Sequence, residues 1–179
     1  MPRLWIINQF ANTPEGPGHT RQYEIAAGLV KKGWDVEVFA SDFNLSERSF
    51  YKLKGLRIEK SEQLEGILWV WLKVFPYQSN NWQRYLNMIS FCAHLILRLV
   101  PTVLFRSLVG RGSPDVILAS SPQLPAAFIC LRLAKFFKIP FVGEIRDLWP
   151  QILIDQSKKY PNKKIIALLS WMEKQIYKN

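Results

Sequence analysis

Cysteine is almost missing from these 179 residues: only Cys92 and Cys130 occur. Both sit inside apolar, helix-periodic stretches, at no spacing that suits a metal or a small disulfide framework. A disulfide-stapled secreted scaffold is thereby excluded, and two buried free thiols in a reducing compartment are expected. Histidine is as scarce; His19 and His94 stand isolated, so no metal site is predicted. Acidic residues are few, 14 against 24 Lys and Arg, for a formal charge of +10. A basic surface attracts phosphate, anionic lipid or nucleic acid, and charge alone does not choose among them or exclude a merely solvated face. No nucleic-acid motif occurs, so no nucleic-acid partner is expected. Internal repeats and low-complexity tracts are also missing. Met1 to Asn8 enters a strand pattern directly, without the long apolar stretch of a signal peptide, and the expected location is cytoplasmic.

Apolar residues, by contrast, make up 49% of the chain, with seven Trp and eleven Phe. That is enough for one domain with a real core. So many aromatics suggest that some meet a partner domain, a lipid or a sugar.

Leu4 to Ile7 is a short, continuously apolar run, as in a buried parallel strand. A turn-rich loop follows, and from His19 the spacing of Tyr23, Ala26, Ala27 and Val30 is helical, with Gly33 as a stop. Val36 to Ala40 reads as the next strand. Strand, glycine loop, helix and strand in the first 40 residues open a doubly wound sheet. Residues 42 to 65 read as irregular, with a short strand near Leu56 to Glu59. Further strands are predicted at Ile67–Leu72, Asp115–Ala119 and Ile139–Ile145, and helices at 82–100, 124–138 and 163–177. Pro101 is expected to bend or end the first of these. The predicted fold class is α/β: a Rossmann-like parallel sheet with helices on both faces.

In such sheets ligands bind at the carboxyl ends of the strands. Three loops meet that condition: Asn8 to Thr20, Ser120 to Gln123 and Arg146 to Pro150. The first carries Gly16, Gly18, His19, Thr20 and Arg21 at a helix start, where free N–H groups and the positive helix end favour an anion; a plain tight turn capped by Thr20 is the alternative. As a dinucleotide fingerprint it fails, since Arg21 stands where a third glycine belongs. In the last loop Glu144, Arg146, Asp147 and Trp149 emerge together. A carboxylate there can take a proton from an acceptor hydroxyl, Arg146 can hold it ionised or bind phosphate, and Trp149 can stack on a sugar or touch lipid. An Arg–Asp pair locking the turn, with Trp149 in the core, is the alternative.

Along 82–100, Arg84, Asn87, Ser90, His94 and Arg98 share one stripe of a widely apolar helix. Its readings are a core helix, an in-plane interfacial helix with a basic stripe, or a span. Arg84, Arg98 and Arg106 are the candidates for membrane contact.

Four segments carry a resemblance: Trp5-Ile6-Ile7-Asn8-Gln9; Pro14 to Arg21 with Tyr23-Glu24-Ile25-Ala26; Pro114 to Pro122; and Pro140 to Pro150, of which Arg146-Asp147-Leu148-Trp149-Pro150 is the most specific. In this order they resemble the N-terminal half of retaining GT-B glycosyltransferases of the family-4 type, particularly those that build bacterial cell-surface polysaccharides such as lipopolysaccharide on lipid carriers. The resemblance implies that residues 1–179 form an acceptor-side domain and that a C-terminal domain, absent here, holds most of a UDP- or GDP-linked nucleotide-sugar. The glycine loop would lie near the donor diphosphate. Asp147 and Arg146 would be the catalytic candidates, with Gly16, Gly18, His19, Thr20, Arg21, Ser120, Ser121, Glu144 and Trp149 around the substrates. No cofactor is implied beyond the sugar donor, and the acceptor is a saccharide or a lipid-linked one at the cytoplasmic face of the inner membrane. Pro17 departs from the family, where a third glycine is usual. A nucleotide-binding module of another class, or a non-enzymatic basic membrane-binding domain, remain the alternatives, and the chain alone is expected to be inactive.

Overall fold

The computed structural model describes residues 1–16, 20–44, 47–53, 55–78, 82–108, 113–156 and 162–178. Its centre is a six-stranded sheet, in the order β5-β6-β2-β1-β7-β8. The strands are β1 (Arg3–Ile7), β2 (Asp35–Ser41), β5 (Glu59–Leu64), β6 (Ile67–Leu72), β7 (Val116–Ser120) and β8 (Phe141–Glu144). Only β5 pairs antiparallel with its neighbour; every other pairing is parallel. A two-residue pair, β3 (Phe43–Asn44) and β4 (Ser49–Phe50), stands apart. The irregular stretch expected at 42–65 therefore holds an edge strand, β5, later than the one predicted at Leu56 to Glu59. Its alternating pattern of charged residues had hidden it: only one face of an edge strand is covered, so half its positions stay polar.

Side chains of the central strands part to two faces with a period of two. Trp5, Ile7, Phe39, Val70, Leu72, Ile117 and Ala119 point to one core, covered by α2 (Trp82–Leu108), α3 (Leu124–Phe137) and α5 (Lys163–Tyr177). Leu4, Ile6, Val36, Val38, Ile67, Trp69 and Trp71 point to the other, under α1 (Arg21–Val30). Trp69 and Trp71 stack with ring centroids 5.1 Å apart and fill a face that α1 covers alone among the described helices. A short helix, α4 (Gln151–Gln156), not anticipated from the sequence, follows the loop after β8. Cys92 and Cys130 are free and buried, as expected, and burial pushes the Cys92 thiol up to about 11.

The helix expected over 82–100 continues through Pro101 to Leu108. Leu99 and Val103, on either side of the proline, are both buried and hold the helix to the sheet. In the turn that the missing N–H weakens, the Thr102 hydroxyl donates to the Arg98 carbonyl at 2.6 Å and accepts from the Arg98 guanidinium at 2.8 Å.

The edge strand is pinned through one carboxylate. Glu62 accepts from the Trp71 indole at 2.8 Å, from Lys52, and pairs with Lys60 at 3.1 Å. Partial burial pushes its pKa up, but these bonds outweigh it and hold the group at about 2. Because the folded value lies below the ordinary one, the stabilisation is complete above about pH 4.5 and is lost as pH falls toward 2. Glu62→Gln is expected to flatten the fall in urea stability between pH 4.5 and 2.5. An unchanged slope would remove this role.

Candidate active-site rim

The parallel strands β1, β2, β6, β7 and β8 share one carboxyl edge, so the three loops predicted to hold the chemistry meet there. The meeting is made by bonds across long sequence gaps. Arg21, the first residue of α1, pairs with Glu144 at the end of β8 at 2.5 Å. Gln22 donates to Glu144 at 3.1 Å and to the Ser120 hydroxyl at 3.3 Å. Ser120, the last residue of β7, donates its own hydroxyl to Glu144. One carboxylate thus ties the first loop to both later ones. Glu144→Ala would leave the Gln22 amide and the Ser120 hydroxyl short of a partner while both are buried. The expected loss is about 2–3 kcal/mol in urea denaturation, with Glu144→Gln losing less; an unchanged midpoint for the alanine variant would show that the hub does not hold the rim.

Ser121 does the complementary work on the backbone. Its hydroxyl oxygen accepts from the Arg146 N–H at 2.7 Å and the Asp147 N–H at 3.3 Å, fixing the loop that leaves β8. The Arg–Asp pair considered from sequence does not form. Among the described residues neither the Asp147 carboxylate nor the Arg146 guanidinium has a side-chain partner; Arg146 is exposed and Asp147 half-buried at the rim. Both are therefore available to a ligand. Trp149 takes the other of its two predicted places: it is buried in the core and lines an apolar cavity.

Gly16 closes a turn by donating to the Thr13 carbonyl at 3.0 Å, and a Cβ there would collide with the Asn12 side chain. Thr20 precedes α1, but its hydroxyl donates to Glu24 at 2.8 Å, one turn on, so the side-chain cap of the alternative reading is not made. The first N–H groups of α1 thus gain no cap from Thr20. Gly18 and His19 lie outside the described residues.

Residues the sequence reading passed over also belong to this rim. Gln22 bridges two strands from a buried position one turn before Ala26, on the inward stripe of α1. A polar residue at the start of an apolar stripe was the signal. Gln9 donates to Asn87 at 2.6 Å, which places the first turns of α2 beside the end of β1. Buried polar atoms without a partner among the described residues occur on these segments as well: Asn8 Nδ2, Gln9 Oε1, Gln22 Oε1 and both amide atoms of Gln123. Buried polar atoms are normally paired, so those at the rim can bond to a ligand or to water. Asp42, by contrast, serves the fold: its carboxylate accepts from the Lys52 and Leu53 N–H groups, and burial pushes its pKa above the ordinary range.

The polar stripe of α2 engages the domain itself from Asn87 onward, which corrects the placing of Arg98 and Arg106 against a membrane. Asn87 and Ser90 bond the backbone of Phe75, and His94 bonds the carbonyl of Lys73. Arg98 pairs with Glu59 at 3.1 Å, and Arg106 with the buried Glu37. The polar stripe finds carboxylates and loop carbonyls on its own domain, so the outward face is the apolar one: Trp82, Tyr85, Ile89, Ile96, Leu97 and Leu104. Arg84 alone of the three arginines is exposed and without a partner among the described residues.

By its fold and its rim the protein is a doubly wound α/β domain whose loops meet in polar bonds at the strand ends. The glycosyl transferase 4-like domain model matches residues 16–179, and the chain belongs to that family. Its fold is that of GT-B glycosyltransferases. The sucrose-phosphate synthase of Thermosynechococcus elongatus superposes with a TM-score of 0.57 at 12% identity over 100% of this chain and 41% of that one. The trehalose-6-phosphate synthase of E. coli bound with UDP-2-fluoro glucose gives a TM-score of 0.52 at 13% identity over 97% of this chain and 38% of that one. The chain thus spans about two fifths of the length of these solved relatives. No curated protein sequence matches it.

Proposed function

We propose that this domain binds the acceptor in a glycosyltransferase that moves a sugar from a nucleotide-sugar to a lipid-linked acceptor in cell-surface polysaccharide synthesis, with a second domain holding most of the donor. The observation that carries the reading is the Asp147 carboxylate beside Arg146, without a side-chain partner among the described residues and held by Ser121 in the loop at the sheet's carboxyl edge. Asp147 accepts the proton of the acceptor hydroxyl as that oxygen bonds to the sugar's anomeric carbon, while the bond from that carbon to the donor phosphate breaks and the nucleotide leaves with the bonding electrons. Arg146 and Arg21 supply positive charge to phosphate groups at the same edge, and the loop ending at Gly16 lies beside the donor diphosphate. A UDP-linked donor is favoured over a GDP-linked one, because a solved relative carries a UDP-sugar.

A lipid-linked acceptor is favoured over a free saccharide by α2. Its outer face is exposed and apolar along most of its length, as an in-plane helix at a membrane requires. By length and composition Trp82–Arg106 could cross a bilayer, but its polar stripe is engaged by the domain, which fits a helix lying on the cytoplasmic surface.

The test compares sugar transfer to a lipid-phosphate acceptor by these 179 residues and by a longer chain that includes a donor-binding half. Transfer by the longer chain only is expected; robust transfer by the 179 residues alone would overturn the two-domain account. Flotation with anionic vesicles checks the surface: the chain should float and stay bound at moderate salt, since apolar burial contributes.

A further inference from the structure

On the face of the sheet opposite α1, a cavity of about 350 Å³ opens between α2, α3 and α5. Its wall is apolar: Met88, Ile89 and Cys92 of α2, Ile129 of α3, Leu169 of α5, and Trp149. α2 and α3 follow the parallel strands β6 and β7 and so start at the carboxyl edge, and the helical lining residues come from the first three turns of α2 and the first two of α3 and α5. Trp149 belongs to the loop that presents Asp147, two residues earlier, so the cavity adjoins the acceptor side of the rim. Its indole N–H is buried and has no partner among the described residues. Arg84 is the only charged residue in the lining among the described residues, and Tyr85 and Ile89 carry the wall onto the exposed apolar face of α2.

We infer that this cavity receives the first part of the acceptor's hydrocarbon chain, with the lipid phosphate against Arg84. The inference rests on the lipid-linked reading of the function and names the subsite within it. Three observations select this occupant. The wall offers dispersion contacts and almost no hydrogen bonds, as a hydrocarbon chain requires. The charge at its edge, Arg84, is positive and has no partner among the described residues, as a phosphate requires. The cavity is continuous both with the Asp147 loop and with the apolar face of α2, so a lipid lying along that face reaches the rim headgroup first. A cavity of about 350 Å³ holds on the order of ten methylenes if each takes roughly the ~30 Å³ of a water molecule, and its size suits small-ligand sites, which run from about 300 Å³ upward.

The experiment measures binding of n-alkyl phosphates of increasing length to the purified chain by calorimetry, below their micelle concentrations, with inorganic phosphate and dodecanol as controls. Affinity is expected to rise about fourfold per methylene and to level off near ten carbons, with inorganic phosphate alone showing no binding. Arg84→Ala should weaken dodecyl phosphate several-fold and leave dodecanol unchanged. Ile129→Trp, which fills the cavity, should weaken dodecyl phosphate at least tenfold while the protein still floats with anionic vesicles; Leu169→Phe repeats the test should the first variant fail to fold. Affinity that keeps rising with chain length, or that ignores both filling variants, would overturn the subsite. So would a dimer in solution that the filling variants dissociate, which would make a second copy the occupant. Flotation without alkyl phosphate binding sinks the cavity alone and leaves the surface reading standing; loss of both removes the lipid-linked acceptor itself.

Discussion

Arg106→Ala should destabilise the domain by about 2–4 kcal/mol, somewhat below the roughly 3–5 kcal/mol lost when a buried ion pair is broken from one side. Arg106 reaches Glu37, whose side chain is only 2% exposed, and lies over the Trp5 ring at 5.5 Å from the centroid. Arg3 stands 4.0 Å from the same carboxylate and compensates in part, so the loss falls short of that for an isolated buried pair. Glu37 also sits on β2 among residues of both cores, where an uncompensated charge has nowhere to hydrate. The double variant Arg106→Met, Glu37→Met should recover most of the stability, because removing both charges removes the desolvation problem. Urea denaturation of the four proteins closes the cycle. Flotation of the folded Arg106 variant should be unchanged. A midpoint that does not move, or a loss of vesicle binding without loss of stability, would return Arg106 to the membrane.

Asp147→Asn should lower sugar transfer by about 10²–10⁴-fold in a chain containing both halves, the usual contribution of a positioned general base. The amide keeps the volume and the two backbone bonds to Ser121 untouched, since those involve the N–H groups of Arg146 and Asp147 and not the carboxylate. Stability and acceptor affinity should therefore change little, and the loss should appear in kcat. Ser121→Ala offers the complementary case. It frees the loop while leaving Asp147 in place, so it should raise KM as well as lower kcat. An Asp147→Asn enzyme that retains its kcat would remove the carboxylate from the chemistry and leave the rim as a binding surface only.

Most strands and most of the helix boundaries were readable from the chain. Buried parallel strands are continuously apolar, and Leu4 to Ile7, Ile67 to Leu72 and Val116 to Ala119 announce themselves. The helix at Lys163–Tyr177 was placed within its observed bounds because its apolar spacing and flanking polar residues agree. β5 was not readable, since an edge strand with one covered face looks like a polar loop. Continuation of α2 past Pro101 was not readable either. A proline predicts a break unless packing on both sides holds the turn, and that packing comes from residues far away in sequence.

Most residues of the rim, though not Gln22, were likewise named from sequence, but not their relations. Local chemistry gave a glycine turn before a helix and a Glu-Arg-Asp-Trp cluster after a strand. That both belong to one edge follows from the parallel order of the sheet. That Glu144 is their common tie and Asp147 is left free was decided only by the contacts of Arg21, Gln22, Ser120 and Ser121. The same holds for α2. Its period showed a polar stripe and an apolar one, and a helical period has no inside or outside by itself. Glu37, Glu59 and the carbonyls of Lys73 and Phe75 drew the polar stripe inward and left the apolar face to the surroundings.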